Sequence, residues 1–197
     1  MSNSPSLPDY SHYFWQGERT RLRPWRLEDA ELRYMASLDS PTLALHQDGI
    51  VLPSSVELQR AWLEKAAGLN DSGGEGMLRF AMDNLDGVTV GWVTLHSRDQ
   101  KNGTFGFGVA VYRAHRGHGY AVDAVRILLK YGFWEQRYQK CNSLCLHNNA
   151  ASIRLHQKLG FVEEGRIRRS CFSNGQYYDD VLFGMTREEF DALCLRP

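Results

Sequence analysis

No run of ~18 apolar residues, the length a membrane-spanning helix needs, occurs anywhere in the chain, so no membrane association is expected. Charge of one sign is also missing. The 23 basic residues balance 23 acidic ones, which excludes the broad basic face of a general nucleic-acid binder. Cysteine is scarce: Cys141, Cys145, Cys171 and Cys194 are the only four in 197 residues. Met1–Ser11 has neither a basic start nor an apolar middle, so no export signal is expected. Together these features read as buried thiols in a reducing, cytoplasmic protein. No C-x-x-C or H-x-x-x-H pairing stands in the sequence, so a zinc site made of Cys141, Cys145, His147 and His118 is a weak alternative and no metal is expected. Internal repeats and low-complexity stretches are absent as well, and the length suits one domain.

The sequence does offer an ordered series of elements. Residues up to Gly17 carry Tyr10, Tyr13, Phe14 and Trp15 and read as a tail docked by aromatics. Thr20–Trp25 reads as a strand and Glu28–Leu38 as a helix. Asp39–Pro53 reads as a loop, and Ser54-x-x-Glu57 as a capping box for a second helix with Leu58, Trp62, Ala66 and Leu69 on its apolar face. Strands are expected at Met77–Met82, Val88–Leu95 and Thr104–Val111, joined by Asp86-Gly87 and Asn102-Gly103 hairpins. A long helix follows from His118 to about Trp134, with Ala121, Val125, Leu128, Leu129 and Gly132 on one face and Asp123, Arg126 and Lys130 on another. A short strand near Ser143–Leu146 leads to a helix over Ala150–Leu159, stopped by Gly160. Phe161–Phe172 and Tyr177–Met185 flank an Asn174-Gly175 hairpin, and Thr186-x-x-Glu189 caps a last helix. This order predicts an α/β (α+β) domain with one central mixed sheet of six to seven strands, antiparallel at first and then parallel, flanked by helices.

Two stretches carry chemistry. Val109–Ala121 runs from a strand through Arg116, Gly117, His118 and Gly119 into a helix at Tyr120 and Ala121. Glycines there allow successive N–H groups to converge at a helix N-terminus, a place suited to a pyrophosphate. No Gly-Lys-Ser/Thr follows and the third glycine of a dinucleotide fingerprint is missing, so two familiar phosphate loops are excluded. The plain alternative is a tight strand-to-helix turn. In the second stretch, Asn149, Ser152 and His156 share one helix face at i, i+3 and i+7. Here the plain alternative is that Asn149 only caps the helix and His156 is a satisfied, half-buried histidine.

Arg116-x-x-Gly119-x-Ala121 resembles the Q/R-x-x-G-x-G/A phosphate-loop motif of the GNAT (Gcn5-related) N-acetyltransferases, and Asn149 with Lys158-Leu159-Gly160-Phe161 resembles that family's N…K-L-G-F segment. The likeness spans Thr20 to Met185 and is greatest to the branch of ribosomal-protein alanine and spermidine acetyltransferases. It implies the GNAT fold, with the fourth and fifth strands splayed apart around the pantetheine arm of acetyl-CoA. By this resemblance Val109 and Val111 would pair with the pantetheine amides through their backbones. Arg116, Gly117, His118, Gly119, Tyr120 and Ala121 would hold the pyrophosphate, with Asn149 and Ser152 near the thioester arm.

The implied reaction is direct acetyl transfer to a primary amine. An alkylammonium with a pKa near ~10.4 must lose a proton first, and the departing thiolate gains from a donor. His156 stands where many relatives have a tyrosine and is expected to be the general acid or thiolate stabiliser. No glutamate stands on the fourth strand, where Phe105 or Gly106 takes its place. The candidates for the base are then a water chain, the backbone near Val109, His96, or Asp179/Asp180, the last two equally able to pair with Arg166, Arg168 or Arg169. The alternative function is a catalytically silent CoA-binding sensor. A monomer and a homodimer are both compatible with the sequence.

Overall fold

The structure of the chain, a computed structural model, describes residues 9–45, 51–66 and 76–194. The elements run β1 (Thr20–Arg23), α1 (Ala30–Ser37), α2 (Ser40–Leu43), α3 (Val56–Ala66), β2 (Leu78–Asn84), β3 (Thr89–Asp99) and β4 (Thr104–Val111). They continue with α4 (Tyr120–Lys130), β5 (Lys140–Leu146), α5 (Ala150–Leu159), β6 (Val162–Ser173), β7 (Gln176–Thr186) and α6 (Arg187–Cys194). All seven strands join one mixed sheet in the order β1-β2-β3-β4-β5-β7-β6. Every pairing is antiparallel except β4 with β5, which are joined by the crossover helix α4.

Alternation along the strands divides the core between two faces. Val93, Leu95, Phe105 and Phe107 point to the face covered by α4, where Leu128, Leu129 and Phe133 meet them. Ala81 points to the opposite face, against Trp25, Ala30 and Leu63 beneath α1 and α3. The hairpin signals work as expected, with Gly87, Gly103, Asn174 and Gly175 all at positive φ. Gly132 has a different duty. It lies in a π-turn over Tyr131–Glu135 that extends α4, and a Cβ there would fall 2.4 Å from the Phe105 ring.

Several expectations change with packing. The first strand stops at Arg23 because Pro24 has no N–H to continue a ladder. The second helix is capped by Ser55 rather than Ser54, its hydroxyl accepting from the Leu58 N–H at 3.2 Å. Leu58 is exposed and Leu63 with Ala66 forms the buried stripe, while Leu69 lies outside the described residues. The expected loop after α1 includes the short helix α2, capped by Asp39. Asp123, expected on the polar face of α4, is buried. It accepts from the N–H groups of Glu18, Arg19 and Thr20 and from the Thr20 hydroxyl, and so ties β1 to α4. In the described residues before β1, Trp15 packs on Phe80 and Tyr131, while residues 1–8 of the expected tail lie outside the described residues. Three cysteines are buried as expected, but Cys194 is exposed.

Candidate active site

The site begins where β4 and β5 part. Their ladder has three residue pairs, Thr104↔Lys140, Phe105↔Cys141 and Gly106↔Asn142, and then ends. The Tyr112 N–H donates to the Val90 carbonyl on β3, so even-numbered residues of β4 turn their backbone toward β3. Gly103, an odd position, accepts from Gln139 and Lys140 on the other side. Past Gly106 the odd residues Phe107, Val109 and Val111 therefore direct N–H and C=O groups into a gap with no strand opposite. Such a row of amide groups can take an extended, amide-bearing chain as it would take a strand.

At its far end β4 passes through a 3-10 turn (Arg113–His115) into the glycine loop. Gly117 and Gly119 stand at φ +86 and +81, a conformation that side chains rarely adopt. Gly119 is the N-cap of α4 and supplies no side-chain cap, so the first N–H groups of the helix, from Tyr120 and Ala121 onward, remain available. His118 stacks on Tyr120 with centroids 5.5 Å apart. Arg19, separated by a hundred residues in sequence, lies beside the loop, its Nη1 3.4 Å from the His118 carbonyl. No sequence motif marks Arg19, because only the packing of the β1 region on α4 brings it there.

The expected loop cation Arg116 turns its side chain away from the glycines. Its Nε donates to the Val111 carbonyl at 3.1 Å and its Nη2 to Thr42 Oγ1 at 2.7 Å. Arg113 forms an ion pair with Asp39, which holds that carboxyl well below the usual carboxylate range. On the far side of the gap, the Asn149 amide donates to the Leu45 carbonyl at 3.4 Å while its oxygen caps α5 by accepting from the Ser152 N–H. The segment 39–45 thus touches the β4 end and the α5 N-terminus together. Asp39, Thr42 and Arg113 were not among the expected site residues.

His156 is brought into the same neighbourhood but not into the open. It is 2% exposed and stacks on Phe183 at 4.4 Å. Nδ1 lies 2.8 Å from the Ser152 carbonyl, and a carbonyl only accepts, so Nδ1 carries the proton. Burial pushes the imidazole pKa down, so the ring is neutral and Nε2 accepts from the Ser143 hydroxyl, 2.8 Å away. In this tautomer Nε2 has no proton to give, and both ring nitrogens are occupied. Ser143, which no sequence motif marked, is the first residue of β5 beyond the last β4 pair.

The opposite face of the gap is lined by small residues. Gly106, Gly108 and Ala110 lie across β3 from His96, Thr94 and Trp92. His96 is partly buried, and burial lowers its pKa against the effect of a backbone hydrogen bond with Phe107. The other suggested bases lie elsewhere. Asp179 caps the bulge of β6 by accepting from the Arg169 N–H, and Asp180 is buried in β7. Arg166 pairs with Glu163. Cys141, Cys145, His147 and His118 do not gather, and among the described residues no group of His, Cys, Asp and Glu could hold a metal ion. Burial alone pushes the Cys141 thiol up. No helix among the described residues is long and apolar enough to cross a membrane.

A β4–β5 gap that leads to a glycine-capped helix N-terminus is the arrangement that the family resemblance implies for an acyl-CoA-dependent transferase. The family model for the acetyltransferase (GNAT) domain matches residues 19–162, and the chain belongs to this family. It is similar to the SPbeta prophage-derived N-acetyltransferase YokL of Bacillus subtilis, 38% identical over 178 residues that cover 90% of this chain and 96% of that protein. It is 26% identical to spermidine N(1)-acetyltransferase of Escherichia coli over 181 residues, covering 87% and 88% of the two chains. The fold matches the crystal structure of spermidine N-acetyltransferase from Vibrio cholerae in complex with CoA and spermine, with TM-score 0.74, 19% identity, and 87% and 97% of the chains covered. The chain is an acyltransferase that uses acetyl-CoA.

Proposed function

We propose that this enzyme moves the acetyl group of acetyl-CoA directly to a primary amine, either a protein N-terminus or a small amine such as a polyamine or an antibiotic. The whole chain then works as one acetyl-CoA-binding domain, in the cytoplasm and as a monomer or homodimer. The observation that carries the reading is that past Gly106 the odd-numbered backbone of β4 has no strand opposite and runs straight into the loop with Gly117 and Gly119 at positive φ.

The residues fit a CoA-type ligand. A Cβ on Gly117 would meet nothing within 4 Å, and the free helix N-terminus has Arg19 beside it. Val109 and Val111 would pair with the pantetheine amides, Val111 once its carbonyl is released by Arg116. Arg116, Gly117, His118, Gly119, Tyr120 and Ala121 would cradle the diphosphate through main-chain N–H groups, and Asn149 and Ser152 would border the thioester arm. When bound, acetyl-CoA supplies an acyl carbon activated by a thiolate leaving group. His156 acts through Ser143: its Nε2 holds the hydroxyl at the vertex of the gap, where the hydroxyl can turn toward a developing negative charge. His156 is thus a positioning residue.

The test is acetyl-CoA-dependent thiol release with spermidine, an aminoglycoside, free amino acids, and peptides starting with Ala, Ser or Met, beside calorimetric binding of CoA. Turnover with one amine class names the substrate. Failure to bind CoA overturns the assignment of the Arg116–Ala121 loop.

A further inference from the structure

We propose that His96 is the group that takes the proton from the acceptor amine. This rests on the acetyl-transfer reading above and adds to it the one role that no side chain of β4 can fill, since Thr104–Val111 contains no titratable residue. His96 is the cross-strand partner of Gly106, and Gly106 is the last residue of β4 paired to β5. The ring therefore stands at the vertex where the gap opens.

The two glycines make that position possible. A Cβ on Gly106 would lie 2.9 Å from His96 Cε1 and 3.2 Å from Nδ1, and one on Gly108 would lie 3.9 Å from Nε2. The imidazole occupies the space that a longer β4 side chain would need. It also interacts with the backbone of Phe107, the first β4 residue turned toward the gap, so it leans over the lip. Nδ1 lies 2.9 Å from the hydroxyl of exposed Ser97, a contact that water or an incoming amine can replace. Alternation places Arg79 of β2, Asp99 of β3 and Lys140 of β5 on the same face. Asp99 is engaged by Asn102, Lys140 by Glu164, and Arg79 lies over Trp62 and donates to the Met77 carbonyl. Burial keeps the imidazole in its basic form near neutral pH.

In the step itself the imidazole accepts one proton from the ammonium, and the freed lone pair forms the bond to the acetyl carbon as the carbon–sulfur bond breaks. The second nitrogen-bound proton ends on the sulfur, and the imidazolium returns its proton to water. The balance is N-acetyl amine, CoA thiol and one proton.

The experiment compares the full-length wild type with His96→Gln and His96→Ala, using spermidine and an alanine-initiated peptide as acceptors and CoA as the binding probe. At about pH 7, His96→Gln should lose about 100-fold in kcat/KM while CoA affinity stays within about threefold. The deficit should shrink toward about pH 9.5, where the amine sheds its own proton, and added imidazole should restore about tenfold in His96→Ala. A His96→Gln enzyme within about threefold of wild type at about pH 7 overturns the proposal. If wild type acetylates neither acceptor yet binds CoA, the amine assignment has failed, and the His96 Cε1 proton resonance then decides. A shift on saturation with CoA supports the ring at the gap, and no shift overturns it.

Discussion

The two edges of β5 have opposite fates. Toward β7 it is laddered over its whole length, from Lys140↔Thr186 to Leu146↔Asp180, whereas toward β4 it pairs only at Thr104, Phe105 and Gly106. One edge spends its hydrogen bonds on the fold, and the other leaves a row of backbone groups on β4 for a ligand. The same contrast separates the two histidines near the vertex. His156 lies under the sheet with both nitrogens engaged, and His96 lies over it with one nitrogen facing an exposed hydroxyl. Burial lowers both pKa values, so the chemistry available to each depends on what its nitrogens face.

Proline substitution breaks the contrast most sharply. Val181 of β7 is paired to both Cys145 and Arg166, so Val181→Pro must lose a ladder bond and is expected to cost about 3 kcal/mol or more, leaving little folded protein by circular dichroism. Val109→Pro removes an N–H that faces the gap, so the protein should stay folded while its calorimetric CoA affinity falls by more than about tenfold, the loss of one or more hydrogen bonds. An intact ladder and unchanged CoA affinity in Val109→Pro would mean that the gap is not the cofactor path.

Somewhat smaller effects sharpen the comparison of histidines. His156→Phe leaves the Ser152 carbonyl and the Ser143 hydroxyl without the ring, so a loss of about 1–3 kcal/mol is expected in denaturant unfolding. Its kcat should fall about 10- to 1000-fold, and Ser143→Ala should reproduce the fall in kcat if His156 acts through that hydroxyl. The pH dependence has a definite sign. A histidine whose folded pKa lies below its unfolded value of 6.5 resists protonation in the native state, so the unfolded chain binds more protons as pH falls. Stability should therefore be full above about pH 7 and decline as pH drops through about 6.5, and His156→Phe should flatten that decline.

The smallest effect is expected at the surface. The Arg113 side chain is 64% exposed, so Asp39→Asn should change stability by less than about 1 kcal/mol in a thermal melt, despite the close contact it removes.

Much of this architecture was legible because local signals were strong. Asp86-Gly87, Asn102-Gly103 and Asn174-Gly175 mark hairpins through the backbone freedom they need, and Gly160 adopts the left-handed cap that a helix end requires. Thr186 and Glu189 cap each other as their spacing implies. The glycine loop before α4 and the Asn149 cap of α5 follow from the same kind of short-range rule. What periodicity could not reveal was the inward turn of Asp123, because its partners Glu18, Arg19 and Thr20 lie more than a hundred residues away.

The sequence by itself determined the order of elements, the hairpins, the glycine loop and the family resemblance, all of which depend on residues close in the chain. Only the tertiary structure decided that β4 and β5 part after Gly106, that Arg19 and Asp39 join the loop, and that His156 faces Ser143 while His96 covers Gly106. Those choices depend on which strands become neighbours and on what fills the space above each glycine. Such contacts span 10 to 99 residues and leave no periodic trace in the chain.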